Sequence, residues 1–252
     1  MNYLKKNSVK YRTPYFHLIC DNFLENYHEY DLNYPIEHLG TPIRMDKDLT
    51  FGDPTYENIY NTPFKHLHEY VYSDDFILDF LDIFDEEIDT KVKTGELLYD
   101  PRKININPKP YEMRSFISCN NMTENNIFLF PRMDFGVGYA GYGIQNGGRG
   151  VHTDNVTRLI SIMLFFTDQK EIKNGQHQMF VVDENYKPLL DKSVELKKNR
   201  LLASIQSNDA YHSVNPLLGG ERRAIYMSIS SSTKLWADYT DKNLKNLSKN
   251  RK

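Results

Sequence analysis

Cysteine is almost absent. The 252 residues hold only Cys20 and Cys119, neither with a close partner, so the chain offers no thiolate metal site and no disulfide framework, and two free thiols fit a reducing cytosol. Long apolar runs are missing too. The basic start, Met1-Asn2-Tyr3-Leu4-Lys5-Lys6, leads into no hydrophobic segment, and no stretch approaches the length of a transmembrane helix. A cytoplasmic protein without membrane contact is the expectation. Neither sign of charge dominates: a net charge of -3 gives no reason to expect nucleic acid or acidic membrane across the whole surface. Internal repeats are also lacking, and no feature specifies an oligomeric state. What remains, 40 % hydrophobic and 26 % charged, is an ordinary globular composition, long enough for one large domain or a domain with an extension.

Along the chain, residues 15–20 read as a strand, and residues 27–61, rich in Pro, Gly, Asp, Asn and Tyr, read as irregular surface or a lid. Helical spacing of Leu67, Val71, Ile77, Phe80, Leu81 and Phe84 predicts a helix over 63–90, interrupted near Ser73-Asp74-Asp75. Residues 105–110 read as a loop and 111–118 as a strand. From Ile127 the texture changes to short apolar runs between Gly-rich turns. Strands are expected at 127–130, 137–142, 150–154, 159–166, 178–182, 193–196, 201–204 and 222–230. Eight antiparallel strands without intervening helices point to a mostly β chain with flanking helices and a double-stranded β-helix, or jelly-roll, cupin-like core. The expected organisation is one domain overall. Residues 1–126 pack on a core of 127–237, and the polar residues 238–252 form a solvated tail.

Chemistry concentrates in Val151-His152-Thr153-Asp154-Asn155. On a strand, residues two apart share a face, so His152 and Asp154 present an imidazole and a carboxylate to one point. His212 can complete the set, since Asn215-Pro216-Leu217-Leu218-Gly219-Gly220 after it would end one strand and begin another. Two histidines and one carboxylate on one face of an iron leave three positions open, the arrangement that non-haem Fe(II) oxygenases use for a bidentate cosubstrate and O2. Downstream, alternation places Arg222, Ala224, Tyr226, Ser228 and Ser230 on a cavity face, and Arg223, Ile225, Met227 and Ile229 on the face beneath outer helices. An inward guanidinium needs an anion, and its planar fork matches a carboxylate.

The stretches His152-Thr153-Asp154-Asn155, Arg158 to Phe166, Asn174-Gly175, Asn199 to Leu202, His212 to Pro216 and Gly220-Glu221-Arg222 resemble the Fe(II)- and 2-oxoglutarate-dependent dioxygenases, within them the prolyl-4-hydroxylase-like branch. The resemblance covers about 139–230, and Thr13 to Leu24 is similar to that branch's opening strand. It implies that His152, Asp154 and His212 bind iron, that Arg222 holds the distal carboxylate of 2-oxoglutarate, and that Tyr142 stands near the cosubstrate. It further implies O2 as second cosubstrate, ascorbate as a further candidate cofactor, and hydroxylation of a small-molecule or peptidyl substrate, a proline first. Two departures stand out. Phe165-Phe166 replaces a tyrosine common in relatives, and Asn174-Gly175-Gln176-His177 replaces a double glycine.

Other residues receive blander readings. A lone H-x-D is weak by itself, and its force comes from the joint pattern. Arg223 reads as a solvent-facing strand-end residue, His66 and His68 as surface histidines of a helix, and His177 as a solvated loop residue. Arg158 could touch substrate or brace its strand end. The competing functions are a cupin-like metal enzyme that does not use 2-oxoglutarate, and a non-catalytic jelly-roll that binds carbohydrate or protein.

Overall fold

In the computed structural model, residues 4, 7–39, 49–50, 57–60, 62–107, 127–140, 149–184 and 187–237 are described. The elements follow in chain order: β1 (Ser8–Tyr11), β2 (His17–Asp21), α1 (Tyr27–Leu32), β3 (Leu49–Thr50), α2 (Glu57–Tyr60), α3 (Phe64–Val71), α4 (Asp74–Ile83), α5 (Asp85–Lys93) and β4 (Asn105–Ile106). Then come β5 (Phe128–Tyr139), β6 (Arg149–His152), β7 (Arg158–Phe165), β8 (Lys173–Asn174), β9 (His177–Val182), β10 (Pro188–Val194), β11 (Arg200–Ile205), β12 (His212–Val214), β13 (Leu217–Gly219) and β14 (Glu221–Ser231).

Period-two alternation builds two layers from these strands. On β7, Ile160, Ile162 and Leu164 join the large apolar core beneath the helices, whereas Met163 and Phe165 join a second core on the opposite face. The neighbours repeat the division: Leu201, Ala203, Ile225 and Met227 pack with the helices, and Leu202 and Ala224 with the second core. The major sheet runs β1-β2-β11-β7-β14-β5-β3, with β4 beside β5. A minor sheet, β10-β9-β12-β6, supplies Met179 and Val194 to the second core and so faces it. Two facing sheets with helices outside one of them make the mostly β, double-stranded β-helix architecture.

The helices are placed by their own periodicity. Phe64, Leu67, His68 and Val71 of α3 are buried at the i, i+3, i+4, i+7 spacing. The expected interruption falls at Ser73, but a second follows at Phe84, after which α5 continues to Lys93 with Asp85, Glu86 and Glu87 in its first turn and Lys91 and Lys93 in its last. Phe64 meets Phe135 at 4.9 Å between ring centroids and Phe166 at 5.9 Å, tying α3 to the sheet. His68, expected at the surface, is buried on this face and tilts against Tyr72.

Several strand boundaries differ from expectation. The strands expected at 127–130 and 137–142 are joined in one, β5 (Phe128–Tyr139), which passes through Pro131; residues 141–142 lie outside the described ones. Proline is tolerated because β4 pairs only at Phe128 and Leu129 and β3 only at Leu49 and Thr50, opposite Phe135 and Asp134, so among the described residues Pro131 has a ladder partner on the β14 side alone. The strand expected at 193–196 instead begins at Pro188. β1 was hidden by its polar sequence, Ser8-Val9-Lys10-Tyr11. The strand expected at 111–118, Cys119, Tyr142 and the 238–252 tail lie outside the described residues.

Arg200 stands opposite Asp21 between β11 and β2 and grips it in two-point geometry, Nε to Oδ1 at 2.6 Å and Nη2 to Oδ2 at 3.0 Å, with Lys197 adding a third bond at 2.8 Å. The Arg200 bond is the main reason the Asp21 carboxyl is held down to about 2. An unfolded aspartate titrates near ~3.9, so the pair's contribution is complete above about pH 4 and is lost as pH falls toward 2. Asp21→Asn is therefore expected to lower the melting temperature at pH 6, and the gap to the parent chain is expected to narrow by pH 3. A constant gap across that range would show that the pair is not the cause.

Candidate metal centre and anion pocket

β6 and β12 pair antiparallel with His152 directly opposite His212, and this contact brings the distant histidine to the pair two residues apart. The ring centroids are 4.5 Å apart. One ligand-type atom from each of His152, Asp154 and His212 lies within 4.8 Å of the others. Backbone carbonyls fix both tautomers. His152 Nδ1 donates to Gly150 O at 2.7 Å and His212 Nδ1 to Ala210 O at 3.0 Å, which leaves each Nε2 lone pair for a ligand-type contact.

Asp154 is oriented from β7. Ser161 Oγ donates to its Oδ2 at 2.8 Å and Arg158 Nη1 reaches the same oxygen at 3.0 Å, so neither bond uses Oδ1. Burial pushes the Asp154 carboxyl up, but Arg158, His212 and Ser161 together outweigh it and hold the group below its ordinary value. Burial also lowers His212 despite the opposing pull of Asp154. Two imidazoles, each with its Nδ1 held by a backbone carbonyl, and a carboxylate are a donor set that suits a divalent metal. Arg158, read as a substrate contact or a brace of its strand end, pairs with the Asp154 carboxylate.

The same cavity, about 150 Å³, is lined by the triad and by Arg222. Arg222 is 5 % exposed, and among the described residues no carboxylate pairs with it. Its Nε donates to Gly175 O at 3.1 Å, its Nη1 donates to the Tyr226 hydroxyl, and the guanidinium lies 5.6 Å from the centre of the Phe165 ring. The turn that aims Gly175 O uses positive φ at both Asn174 (67°) and Gly175 (80°). Gly220 holds the other flank: at φ 82° a Cβ there would sit 2.5 Å from Glu171 O, so no larger residue fits. Thus the Asn-Gly departure still makes the turn. Tyr226, on the strand of Arg222, contributes a phenol where the Phe165-Phe166 pair has none. Phe165 is buried in the second core against the Arg222 guanidinium, and Phe166 in the core beneath the helices.

Two expectations are corrected here. Arg223 is not solvent-facing. Its side chain is 17 % exposed, 3.1 Å from Asp31 Oδ1, with its guanidinium 5.7 Å from the centre of the Tyr34 ring. His177 is not a solvated loop residue: it opens β9, is 4 % exposed, lines the cavity and stacks on His212 at 5.4 Å. Burial, then the neighbouring His212 and Arg222, push it well below the ordinary histidine range, and its Nδ1 has no hydrogen-bond partner among the described residues. The missed signal was the alternation His177, Met179, both buried on the inner face of β9.

No family model matches the chain, and no curated protein does. Among solved structures it is similar to a Pseudomonas putida prolyl-4-hydroxylase, 16 % identical with a TM-score of 0.45, over 85 % of this chain and 91 % of that one. It is also similar to a Trichoplax adhaerens prolyl hydroxylase in complex with a hypoxia inducible factor peptide fragment, 15 % identical with a TM-score of 0.44, over 91 % of this chain and 86 % of that one. A third is the viral collagen prolyl hydroxylase of Paramecium Bursaria Chlorella virus-1, 13 % identical with a TM-score of 0.42, over 85 % and 94 %. Likenesses this distant carry no argument about activity, and the chemistry rests on this chain's own side chains. No helix among the described residues is long and apolar enough to cross a membrane.

Proposed function

We propose that the chain is an Fe(II)- and 2-oxoglutarate-dependent dioxygenase that hydroxylates an unactivated C–H bond. The observation that carries this reading is Arg222, a buried cation without a carboxylate partner among the described residues, in the cavity that also holds two imidazoles and a carboxylate. A buried charge is costly unless an anion answers it, and a dicarboxylic keto acid answers it with one end while presenting the other to the metal.

When bound, iron and the keto acid supply the oxidation of the C–H bond by O2, with 2-oxoglutarate leaving as succinate and CO2. The chain's part is placement. His152, Asp154 and His212 would hold the metal, Ser161 and Arg158 fix the carboxylate's orientation, and Arg222 with Tyr226 would hold the distal carboxylate. His177, neutral and with Nδ1 unengaged, offers a polar atom beside the same ligand. Asp154 favours hydroxylation over halogenation, since a carboxylate ligand occupies the position a halide would need. The motif resemblance makes a prolyl or peptidyl substrate the first candidate. A cupin-like enzyme that does not use 2-oxoglutarate has no need of the Arg222 clamp.

Anaerobic addition of Fe(II) and 2-oxoglutarate is expected to produce a visible metal-to-ligand charge-transfer band. Folded protein that takes up iron and gives no band rejects the proposal.

A further inference from the structure

Lys192 of β10 takes no part in the chemistry above, and it differs from other lysines of the chain in what holds its amine. Lys91, Lys93, Lys197 and Lys198 each stand against a carboxylate, which favours the protonated ammonium. Among the described residues no carboxylate pairs with Lys192. Its Nζ lies instead 3.1 Å from His17 Nε2 and 3.5 Å from the centre of the Tyr11 ring. Val194, two residues on, is buried in the second core, so alternation turns Lys192 inward as well. His17 belongs to β2, so the contact runs from the edge strand of the minor sheet across to the major sheet.

His17 is fully buried, and its Nδ1 is 2.8 Å from Tyr15 O. A carbonyl oxygen can only accept, so Nδ1 carries the proton and Nε2 turns a lone pair to the amine. The imidazole is held in place by aromatic rings: Tyr11 stacks on it with centroids 4.9 Å apart and planes 11° apart, and Tyr15 meets it edge-on at 6.3 Å. Amine, imidazole and backbone carbonyl thus form a nucleophile, a base and the group that orients the base, each pair within hydrogen-bond reach. Burial lowers His17 and Lys192 alike, with Asp191, beside Lys192 on β10, pulling both the other way. Lys192 is half-buried and Asp191 and Ser193 are exposed, which leaves the amine open to a small molecule. The walls beside it are aromatic. Arg200, whose charge reaches Tyr11, is already gripped by Asp21, so no cation here waits for an anionic ligand.

We propose that Lys192 is a nucleophilic amine that condenses with small uncharged aldehydes, His17 carrying its proton. The Nζ lone pair forms the N–C bond while the C=O π pair moves to oxygen. Attack makes the nitrogen acidic, and one N–H proton passes through His17 Nε2 to that oxygen, giving a carbinolamine. The nitrogen pair then closes the C=N bond as the hydroxyl leaves, and the second N–H proton departs with it as water. Amine and aldehyde become imine and water, with no oxidant or reductant. The proposal is independent of the dioxygenase reading.

The test treats the full chain at about pH 7 with propanal, and separately with glyoxylate, each with cyanoborohydride to fix the imine, and follows every lysine by peptide mass over time. Propanal is expected to modify Lys192 about ten-fold faster or more than the exposed Lys103 and Lys170, and the Lys192 rate is expected to level off at lower pH than theirs. Glyoxylate, which is charged, is expected to show no such preference. His17→Phe keeps a ring against Tyr11 and removes the lone pair, so it should bring Lys192 down to the rate of the exposed lysines while theirs stay unchanged. The rate ratio and pH profile of the parent chain decide the matter even if that variant does not fold. A charged latch between the sheets predicts the opposite, a protected Lys192. A Lys192 slower than the exposed lysines, a rate equal to theirs, or an unchanged rate in folded His17→Phe overturns the nucleophile, and a preference of Lys192 for glyoxylate overturns the uncharged electrophile.

Discussion

Asp154→Ala and His152→Ala are each expected to abolish succinate formation and to leave the protein unable to retain iron through dialysis. Losing an outer partner of a metal ligand costs roughly 10- to 100-fold in metal affinity or activity, and losing the ligand itself costs more, about a thousand-fold here. The geometry gives the two variants different side effects. Among the described residues the other nitrogen of His152 bonds Gly150 O, and the pairing of β6 with β12 is a backbone ladder, so removing the side chain leaves that pairing in place. Removal of Asp154 also deprives Arg158 of its carboxylate partner, in a side chain only 27 % exposed, so some loss of stability accompanies it. Asp154→Asn, which keeps the shape, and a melting curve for each variant separate a lost ligand from a lost fold. Ser161→Ala belongs a step further out. It removes the 2.8 Å bond to Asp154 and should cost about 10-fold, within the outer-partner range. Full activity in Asp154→Ala or His152→Ala would count decisively against the triad.

How far these roles could be seen in the sequence depends on how local their cause is. The spacing of His152 and Asp154 was legible locally, but not for the reason expected: β6 ends at His152, and Asp154, just past it, is held at the same point by Ser161 and Arg158 of β7. Arg222 and Arg223 were separated by strand alternation, a rule that needs no partner strand, and their burial follows it, with Arg222 in the cavity and Arg223 against Asp31 beneath the helices. His212 was different: only the return of β12 against β6 places it opposite His152, and such a long-range pairing leaves no local pattern. His177 failed for another reason. The left-handed Asn174-Gly175 turn reads as solvated loop, yet here it turns the chain inward and starts β9 at His177 itself. His68 was legible and passed over, since Phe64, Leu67, His68 and Val71 already form one helical face. The alignment of Ser228, Ser161 and Ser204 could not be read at all, because it exists only across the register of β14, β7 and β11.

Arg222→Ala is expected to weaken binding of 2-oxoglutarate by about 10- to 150-fold, equivalent to the ~1.5–3 kcal/mol of a hydrogen bond to a charged group, while metal affinity changes little. The reason is positional. Arg222 touches Gly175 O, Tyr226 and Phe165, and none of these is a metal-ligand candidate. Arg222→Lys keeps the charge but loses the fork, so it should recover only part of the affinity. Arg223→Ala is the matched control one residue away. It breaks the contacts to Asp31 and Tyr34 under the helices and should lower thermal stability without moving the 2-oxoglutarate affinity. Titration of the charge-transfer band with 2-oxoglutarate at saturating iron reads the affinity, and a melting curve reads the rest. If the affinity loss appeared in Arg223→Ala and not in Arg222→Ala, the inward face of β14 would be misassigned and the anion pocket would have to be sought elsewhere. If both arginines were silent, the buried cation would be structural, and the case for a dicarboxylic cosubstrate would go with it.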